Sequence, residues 1–320
     1  MNFLITGSSG FVGSQLCDTL VKDGHYIKVI VRHKSIKSTK SIEIIQCDLE
    51  NLNDLPQDIF KGIQCVIHLA ARAHVLSKRF LGPPSEFTLI NRDTTIRLAE
   101  LASSNGVERF IFLSSIGVHG LHSLVPFTES SPINPHDSYT QSKIEAEVLL
   151  LEICNSSNME VVIIRPPLVY GPNAPGNFGT LIKLVKRSLP MPFGAINNLR
   201  SFVALYNLVD FIIFCADRMR SPNAANQVFL VSDGEDVSTT ILLRKVAKAY
   251  GVRSHLFPIP VLFMRLVAKL IRKNDMAERL FGNLQVDSSK ARDLLGWVPI
   301  ITMDDQLKIM AESDKDSEKK

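Results

Sequence analysis

Along the first half of the chain, short near-continuous apolar runs alternate with longer segments whose apolar residues recur at helical spacing. The runs at 2–6, 26–32, 42–47, 65–68, 109–113 and 161–165 read as strands, and 11–22, 88–104 and 138–152 read as helices. Stretches such as Ile27-Lys28-Val29-Ile30-Val31 and Val161-Val162-Ile163-Ile164 show little polar alternation. That pattern belongs to strands buried on both faces. Strand and helix in alternation predict an α/β fold with a doubly wound parallel sheet.

After Pro166-Pro167 the rhythm breaks. Residues 167–199 are rich in Pro, Gly and Asn, with one helical stretch at 181–186. Helices around 208–217 and 238–250 and a strand at 228–231 follow. The expected organisation is a sheet domain over 1–168 and a smaller, loop-rich C-terminal lobe over 169–311, with parts around 200–232 returning to the sheet domain. Residues 312–320, nearly all charged or Ser, are expected to form a disordered tail. Segment 259–271 sets Ile259, Leu262, Phe263, Leu266, Val267, Leu270 and Ile271 on one helical face, with Arg265, Lys269 and Arg272 opposite. The favoured expectation packs that face on the protein itself, and contact with a membrane surface is the lesser alternative.

Composition narrows the class without naming a function. With 320 residues, 45% hydrophobic and 21% charged, the chain has ample material for a buried core. A net charge of +4 allows an anionic ligand but is not the footprint of a nucleic-acid binder. The five cysteines (Cys17, Cys47, Cys65, Cys154, Cys215) are scattered and lack metal or redox spacing. Free thiols in a reducing cytoplasm, and no metal, are the expectation. The first residues lack a basic, apolar leader pattern, and no run of about 18 apolar residues is present to span a bilayer.

Two motifs carry chemistry. Thr6-Gly7-Ser8-Ser9-Gly10-Phe11-Val12-Gly13 follows the first strand and opens the first helix. Gly7 permits the tight turn, Gly10 lets backbone approach a pyrophosphate, and Gly13 lets the helix pack closely. The helix N-terminus then presents free N–H groups and partial positive charge to that anion. This is the Rossmann signature for NAD or NADP. Arg32 at the end of strand two, with His33 and Lys34 behind it and no carboxylate nearby, suits a 2′-phosphate and favours NADP over NAD. Asp48 after strand three is a candidate for the adenine, and Ala70-Ala71 after strand four for close backbone approach.

The second motif is Tyr139-Thr140-Gln141-Ser142-Lys143. Residues i and i+4 share a helix face, so phenol and ammonium point into one space. Free tyrosine has a pKa of about 10, and an adjacent ammonium is expected to lower it toward general acid–base work. Ser115 ends strand five, where doubly wound sheets bind ligands, and there it would hold a substrate oxygen.

Together TGSSGFVG (6–13), HLAA (68–71), Asn91, LSS (113–115), YTQSK (139–143) and RPPLVYGP (165–172) resemble the extended short-chain dehydrogenase/reductase superfamily, in its NAD-dependent epimerase/dehydratase branch. The resemblance runs from residue 2 to about residue 300 and ends in Leu295-Gly296-Trp297-Val298-Pro299. It implies Tyr139 as acid/base, Lys143 on the nicotinamide ribose, Ser115 as hydrogen-bonding partner, and Asn91 as support for the lysine through water. It further implies cofactor contacts at Gly7, Ser9, Gly10, Phe11, Val12, Gly13, Arg32, Asp48, Leu49, Leu69, Ala70, Ala71 and Pro166. Asn177, Arg200 and Arg279 match diphosphate contacts of UDP-sugar enzymes, and homodimers built from two helices per subunit are usual in the superfamily. His119 stands where the branch commonly has tyrosine, and Ser115 is followed by Ile116-Gly117 rather than by the Asp-Glu or Glu-Lys pair of sugar 4,6-dehydratases, which argues against a dehydratase.

The expected activity is oxidoreduction at C4 of a UDP-(N-acetyl)hexosamine. The first reading is a 4-epimerase working through a 4-keto sugar, and the second is an NADPH-dependent UDP-4-keto-6-deoxy-sugar reductase in surface-polysaccharide synthesis. A non-catalytic dinucleotide-binding sensor is a third reading, disfavoured because both Tyr139 and Lys143 are present.

Overall fold

In the computed structural model, residues 1–33, 38–72 and 84–318 are described. The first domain runs β1 (Asn2–Thr6), α1 (Phe11–Lys22), β2 (Tyr26–Val31), β3 (Ile42–Gln46), β4 (Cys65–His68), α2 (Pro84–Phe87), α3 (Thr94–Ser104), β5 (Arg109–Leu113), α4 (Ser138–Asn155) and β6 (Glu160–Arg165). There follow β7 (Leu168–Tyr170), α5 (Gly176–Lys186), β8 (Phe202–Ala204), α6 (Leu205–Ala216), β9 (Gln227–Leu230) and α7 (Thr239–Tyr250). The chain closes with α8 (Val261–Leu270), α9 (Asn274–Phe281), α10 (Ser289–Leu295) and α11 (Met303–Glu318).

The main sheet has seven parallel strands in the order β3-β2-β1-β4-β5-β6-β9, a Rossmann-type arrangement. Its alternating residues feed two cores. Phe3 and Ile5 point to the face covered by α1 and α6, with Leu16, Leu20, Leu208 and Phe211. Leu4 points to the opposite face, where α3 and α4 supply Leu98, Ala102, Ala146 and Leu150. Helix α6 and strand β9 come late in the chain, yet they complete this sheet domain. Arg109, fully buried at the start of β5, ties the layers by donating to the Cys215 carbonyl, to Ser221 and to Glu160.

The second lobe has its own core of Tyr170, Phe178, Phe202, Leu243, Val246, Leu307 and Met310, from α5, α7, α11 and the small β7–β8 pair. Residues 312–318 correct the expectation of a disordered tail, because they continue α11. Asp314 there accepts from Lys186 Nζ at 2.9 Å and from the Tyr250 hydroxyl at 3.0 Å. These partners lie far away in sequence, so a charge-rich composition alone concealed them. A second correction concerns α8: none of its residues is buried, and its apolar face is not packed on the protein. No helix among the described residues is long and apolar enough to cross a membrane.

Candidate active site

The glycine turn is shaped by what it excludes. Gly7 has φ +72°, and a Cβ there would lie 2.7 Å from the Ala70 backbone nitrogen. A Cβ on Gly13 would meet the Gly7 carbonyl at 2.1 Å, so α1 can begin this close to β1 only with glycine at that position. Gly10 is the N-cap of α1 and offers no side-chain cap, which leaves the first N–H groups of the helix to an external anion. The Ser8 hydroxyl beside it is buried without a partner. A cleft of about 580 Å³ opens here, lined by Ser9, Gly10 and Phe11, by Tyr206 of α6 and, from the second lobe, by Asn173. Orphaned donors in a cradle that no Cβ fills suit a dinucleotide diphosphate.

The loop after β4 is held beside this turn. His68, at the end of β4, sits between Thr6 Oγ1 (2.7 Å) and Thr95 Oγ1 (2.9 Å). Burial first, and the Lys143 charge second, push its pKa down to about 3, so the ring is neutral. Thr6 Oγ1 also accepts the Ala70 N–H, and Leu69 N–H bonds the Thr6 carbonyl. Leu49 and Val12 are half-buried, while Ala71 is exposed. Arg32 is exposed just past the end of β2, as is His33, and Lys34 lies outside the described residues. The Asp48 carboxylate caps the short turn Leu49–Asp54 by accepting the Glu50 N–H at 3.1 Å.

Helix α4 begins at a capping box, in which Asp137 accepts the Thr140 N–H at 2.8 Å. This fixes the first turn, which carries Tyr139, and one turn later Lys143. Lys143 is only 1% exposed. Its Nζ donates to the Leu113 carbonyl at 2.8 Å and lies 4.3 Å above the Phe112 ring. The lysine is thereby tied to the strand end that carries Ser115. Ser115 begins the next turn, accepts the Gly117 N–H at 3.1 Å, and is followed by Ile116 N–H bonding the Pro166 carbonyl at 3.0 Å. A Cβ on Gly117 would meet Thr140 Cγ2 at 2.9 Å, so the serine turn packs directly on the tyrosine helix. Ser115, Tyr139 and Lys143 thus converge at the C-terminal edge of β5.

Their electrostatics differ from the expectation. The Tyr139 pKa rises to about 12, because burial and then the Asp137 charge disfavour the phenolate. Burial also drives Lys143 down to about 7, with Glu147 pulling weakly the other way. In the protein alone, desolvation of both groups outweighs the attraction inferred from their spacing. Asn91 is fully buried, donates from Nδ2 to Ser142 Oγ at 3.0 Å and to the Arg72 carbonyl, and accepts the Arg72 N–H at Oδ1. It therefore fixes α4, beside Lys143, to the loop after β4. It lies in a π-helical turn, Thr88–Asp93, which interrupts the predicted helix 88–104.

Sequence reasoning missed the polar chain beneath the site. Glu147, buried one turn beyond Lys143, accepts from Ser114 Oγ and pairs with Arg165, whose Nε lies 3.1 Å from both carboxylate oxygens. Arg165 Nη1 reaches His119 Nε2 at 2.9 Å, and His119 Nδ1 donates to the Pro132 carbonyl at 3.1 Å. Burial holds the His119 pKa low, so the ring is the neutral tautomer that can accept from Arg165. The i+4 spacing of Lys143 and Glu147 was the available signal.

In the second lobe, Arg200 bridges the backbones of Val237 and Leu284 and donates from Nη1 to the Gly282 carbonyl at 2.9 Å. Burial, and then the nearby Arg279 charge, lower its pKa to about 10. The two arginines are therefore electrostatic neighbours, one buried and one exposed. Ile116, adjacent to Ser115, packs in one cluster with Leu284, so the arginine segment abuts the serine turn. Asn177 falls in the first turn of α5, and its side chain lies outside the described residues.

Comparison with known proteins agrees with this geometry. The model of the NAD dependent epimerase/dehydratase family matches residues 3–230. A protein of Vibrio cholerae named UDP-glucose 4-epimerase is 42% identical over 317 residues, covering 98% of this chain and 95% of its own. An N-acetyl-α-D-glucosaminyl-diphospho-ditrans,octacis-undecaprenol 4-epimerase of Escherichia coli O157:H7 is 30% identical over 250 residues, covering 78% and 72%. In fold, the chain is similar to the UDP-glucuronic acid 4-epimerase of Bacillus cereus solved in complex with NAD, with a TM-score of 0.79, 21% identity and 99% of each chain covered. The chain belongs to the NAD-dependent epimerase/dehydratase family and is an NAD(P)-binding enzyme of the extended short-chain dehydrogenase/reductase type.

Proposed function

We propose that the protein is a UDP-sugar 4-epimerase acting on a UDP-hexose or UDP-N-acetylhexosamine through a 4-keto sugar. The observation that carries this reading is the convergence of Ser115, Tyr139 and Lys143 at one strand end, with the Arg200–Arg279 pair on an abutting segment. The name of the Vibrio cholerae relative supports it.

In this reading Tyr139 takes the proton of the 4-hydroxyl, and Ser115 holds the same oxygen as it becomes a carbonyl. A nicotinamide cofactor would supply the two-electron acceptor and donor for the hydride at C4. Lys143, anchored by the Leu113 carbonyl, holds the ribose and offers the positive charge that a phenolate needs. Arg200 and Arg279 grip the diphosphate, leaving the keto sugar free to turn its other face before the hydride returns. The glycine turn and the α1 N-terminus hold the dinucleotide diphosphate. NADP is the favoured form, because an exposed arginine just past the end of β2, Arg32, suits a 2′-phosphate. The five thiols are free and buried, in keeping with action in the cytoplasm, and a homodimer is implied by the family resemblance.

Arg32 also favours a second reading, reduction of a UDP-4-keto-6-deoxy sugar by exchangeable NADPH. Incubating the purified protein with UDP-glucose and with UDP-N-acetylglucosamine, without added cofactor, separates the two. Interconversion with the 4-epimer supports the epimerase. Absence of interconversion, with NADPH consumed on the 4-keto sugar, overturns it in favour of the reductase.

A further inference from the structure

We infer that α8 is a membrane-docking helix that lays the second lobe on an anionic bilayer surface. The orientation of the helix is the primary observation. Val261, Met264, Arg265 and Ala268 face the protein and are only half-buried. Leu262 (81% exposed), Phe263, Leu266, Val267 and Leu270 (75% exposed) face outward, and Ile271 extends the patch. A helix packed on its own protein turns its apolar side inward. Here Arg265 is turned inward instead, paired with Glu278 of α9, while the leucines stand in solvent. An exposed apolar stripe of this kind marks an interaction surface.

Charge identifies what covers it. Residues 237–274 contain eight Arg and Lys and not one Asp or Glu. Against a chain total of +4, the remainder of the protein is therefore net negative. Lys269, Arg272 and Lys273 are exposed beside the apolar stripe, and Asp275 is the first acidic residue after it. An apolar row with a basic margin complements acyl chains beneath anionic headgroups. A second copy of the same face would bring two basic margins together.

Docking would also orient the site. Helix α8 packs on α9, whose Arg279 is the neighbour of Arg200. If the proposed function holds, the end of the substrate site that carries Arg200 and Arg279 would then lie close to the bilayer. This inference is independent of the epimerase reading, because lipid binding requires no turnover.

Flotation of the full chain with vesicles tests it, using phosphatidylcholine alone and phosphatidylcholine with 30% phosphatidylglycerol. The expected result is co-flotation with the anionic vesicles that weakens in high salt. Leu262→Glu/Leu270→Glu should reduce the bound fraction at least tenfold with an unchanged melting temperature, since both side chains lie in solvent. Lys269→Gln and Lys273→Gln should each weaken partitioning about fivefold. No flotation of the wild type, or equal flotation of the leucine variant, overturns the inference. So does a wild-type dimer that the leucine variant converts to monomer without any lipid binding, because the face would then be covered by a second copy.

Discussion

Glu147→Gln tests the polar chain under the active site by removing one charge with almost no change of shape. In the wild type the Glu147 carboxylate is 2% exposed and carries the Arg165 pair and the Ser114 hydroxyl. The substitution leaves Arg165 buried with only His119 and a neutral amide to satisfy it. Breaking a buried pair in this way costs about 3–5 kcal/mol. At an unfolding entropy of about 2.1 cal/mol/K per residue, a chain of 320 residues loses melting temperature by about 5–7 °C. Ser114→Ala removes one hydrogen bond but keeps the pair, and about 1 kcal/mol lowers the melting point by only about 1–2 °C. Melting followed by circular dichroism at a fixed scan rate reads both. A Glu147→Gln shift no larger than that of Ser114→Ala would refute the claim that a desolvated ion pair braces this site. The same variant carries a functional signature. Glu147 raises the Lys143 pKa, so its loss moves that pKa further below about 7, and the alkaline limb of activity should move to lower pH.

The wild-type pH profile follows from the same group. Burial depresses the Lys143 pKa to about 7, so the ammonium is present below that pH and is lost as pH rises through it. We expect kcat/KM to fall above about pH 7 with a single-proton slope, and a profile flat to pH 9 would show that the charge on Lys143 is not needed in the free enzyme. Tyr139→Phe should lower turnover by about 10²–10⁴-fold while dinucleotide binding, read by fluorescence titration, persists. Near-normal turnover would remove Tyr139 from the proton step. Arg32→Asp should shift preference from NADPH toward NADH, measured as the ratio of the two dissociation constants, and an unchanged ratio would sever Arg32 from cofactor choice.

The strands of the first domain were legible because each is a local apolar run, and β1, β4 and β5 end where the runs end. Tyr139 and Lys143 were legible for the same reason, since their shared face needs only helical spacing. The π-helical turn around Asn91 was not, because its register is set by the Arg72 backbone and by Ser142, fifty-one positions away. The Glu147–Arg165–His119 chain joins α4, β6 and the turn after β5, three elements that only the sheet topology brings together. The direction of the Tyr139 pKa was read wrongly because spacing reports a neighbouring charge and is silent on desolvation.

What the sequence determined by itself is whatever depends on neighbours a few residues apart: the parallel α/β rhythm, the glycine turn at 6–13, the Tyr139–Lys143 face and the amphipathic character of 261–270. Tertiary structure decided the rest. It placed β9 beside β6, gave Asp314 its partners in α5 and α7, set Arg279 near Arg200, and turned the apolar side of α8 outward. The physical reason is that burial, ion pairing and the facing of a helix are properties of surroundings assembled from distant parts of the chain. Periodicity says that a helix has two faces. Only packing says which of them meets the protein.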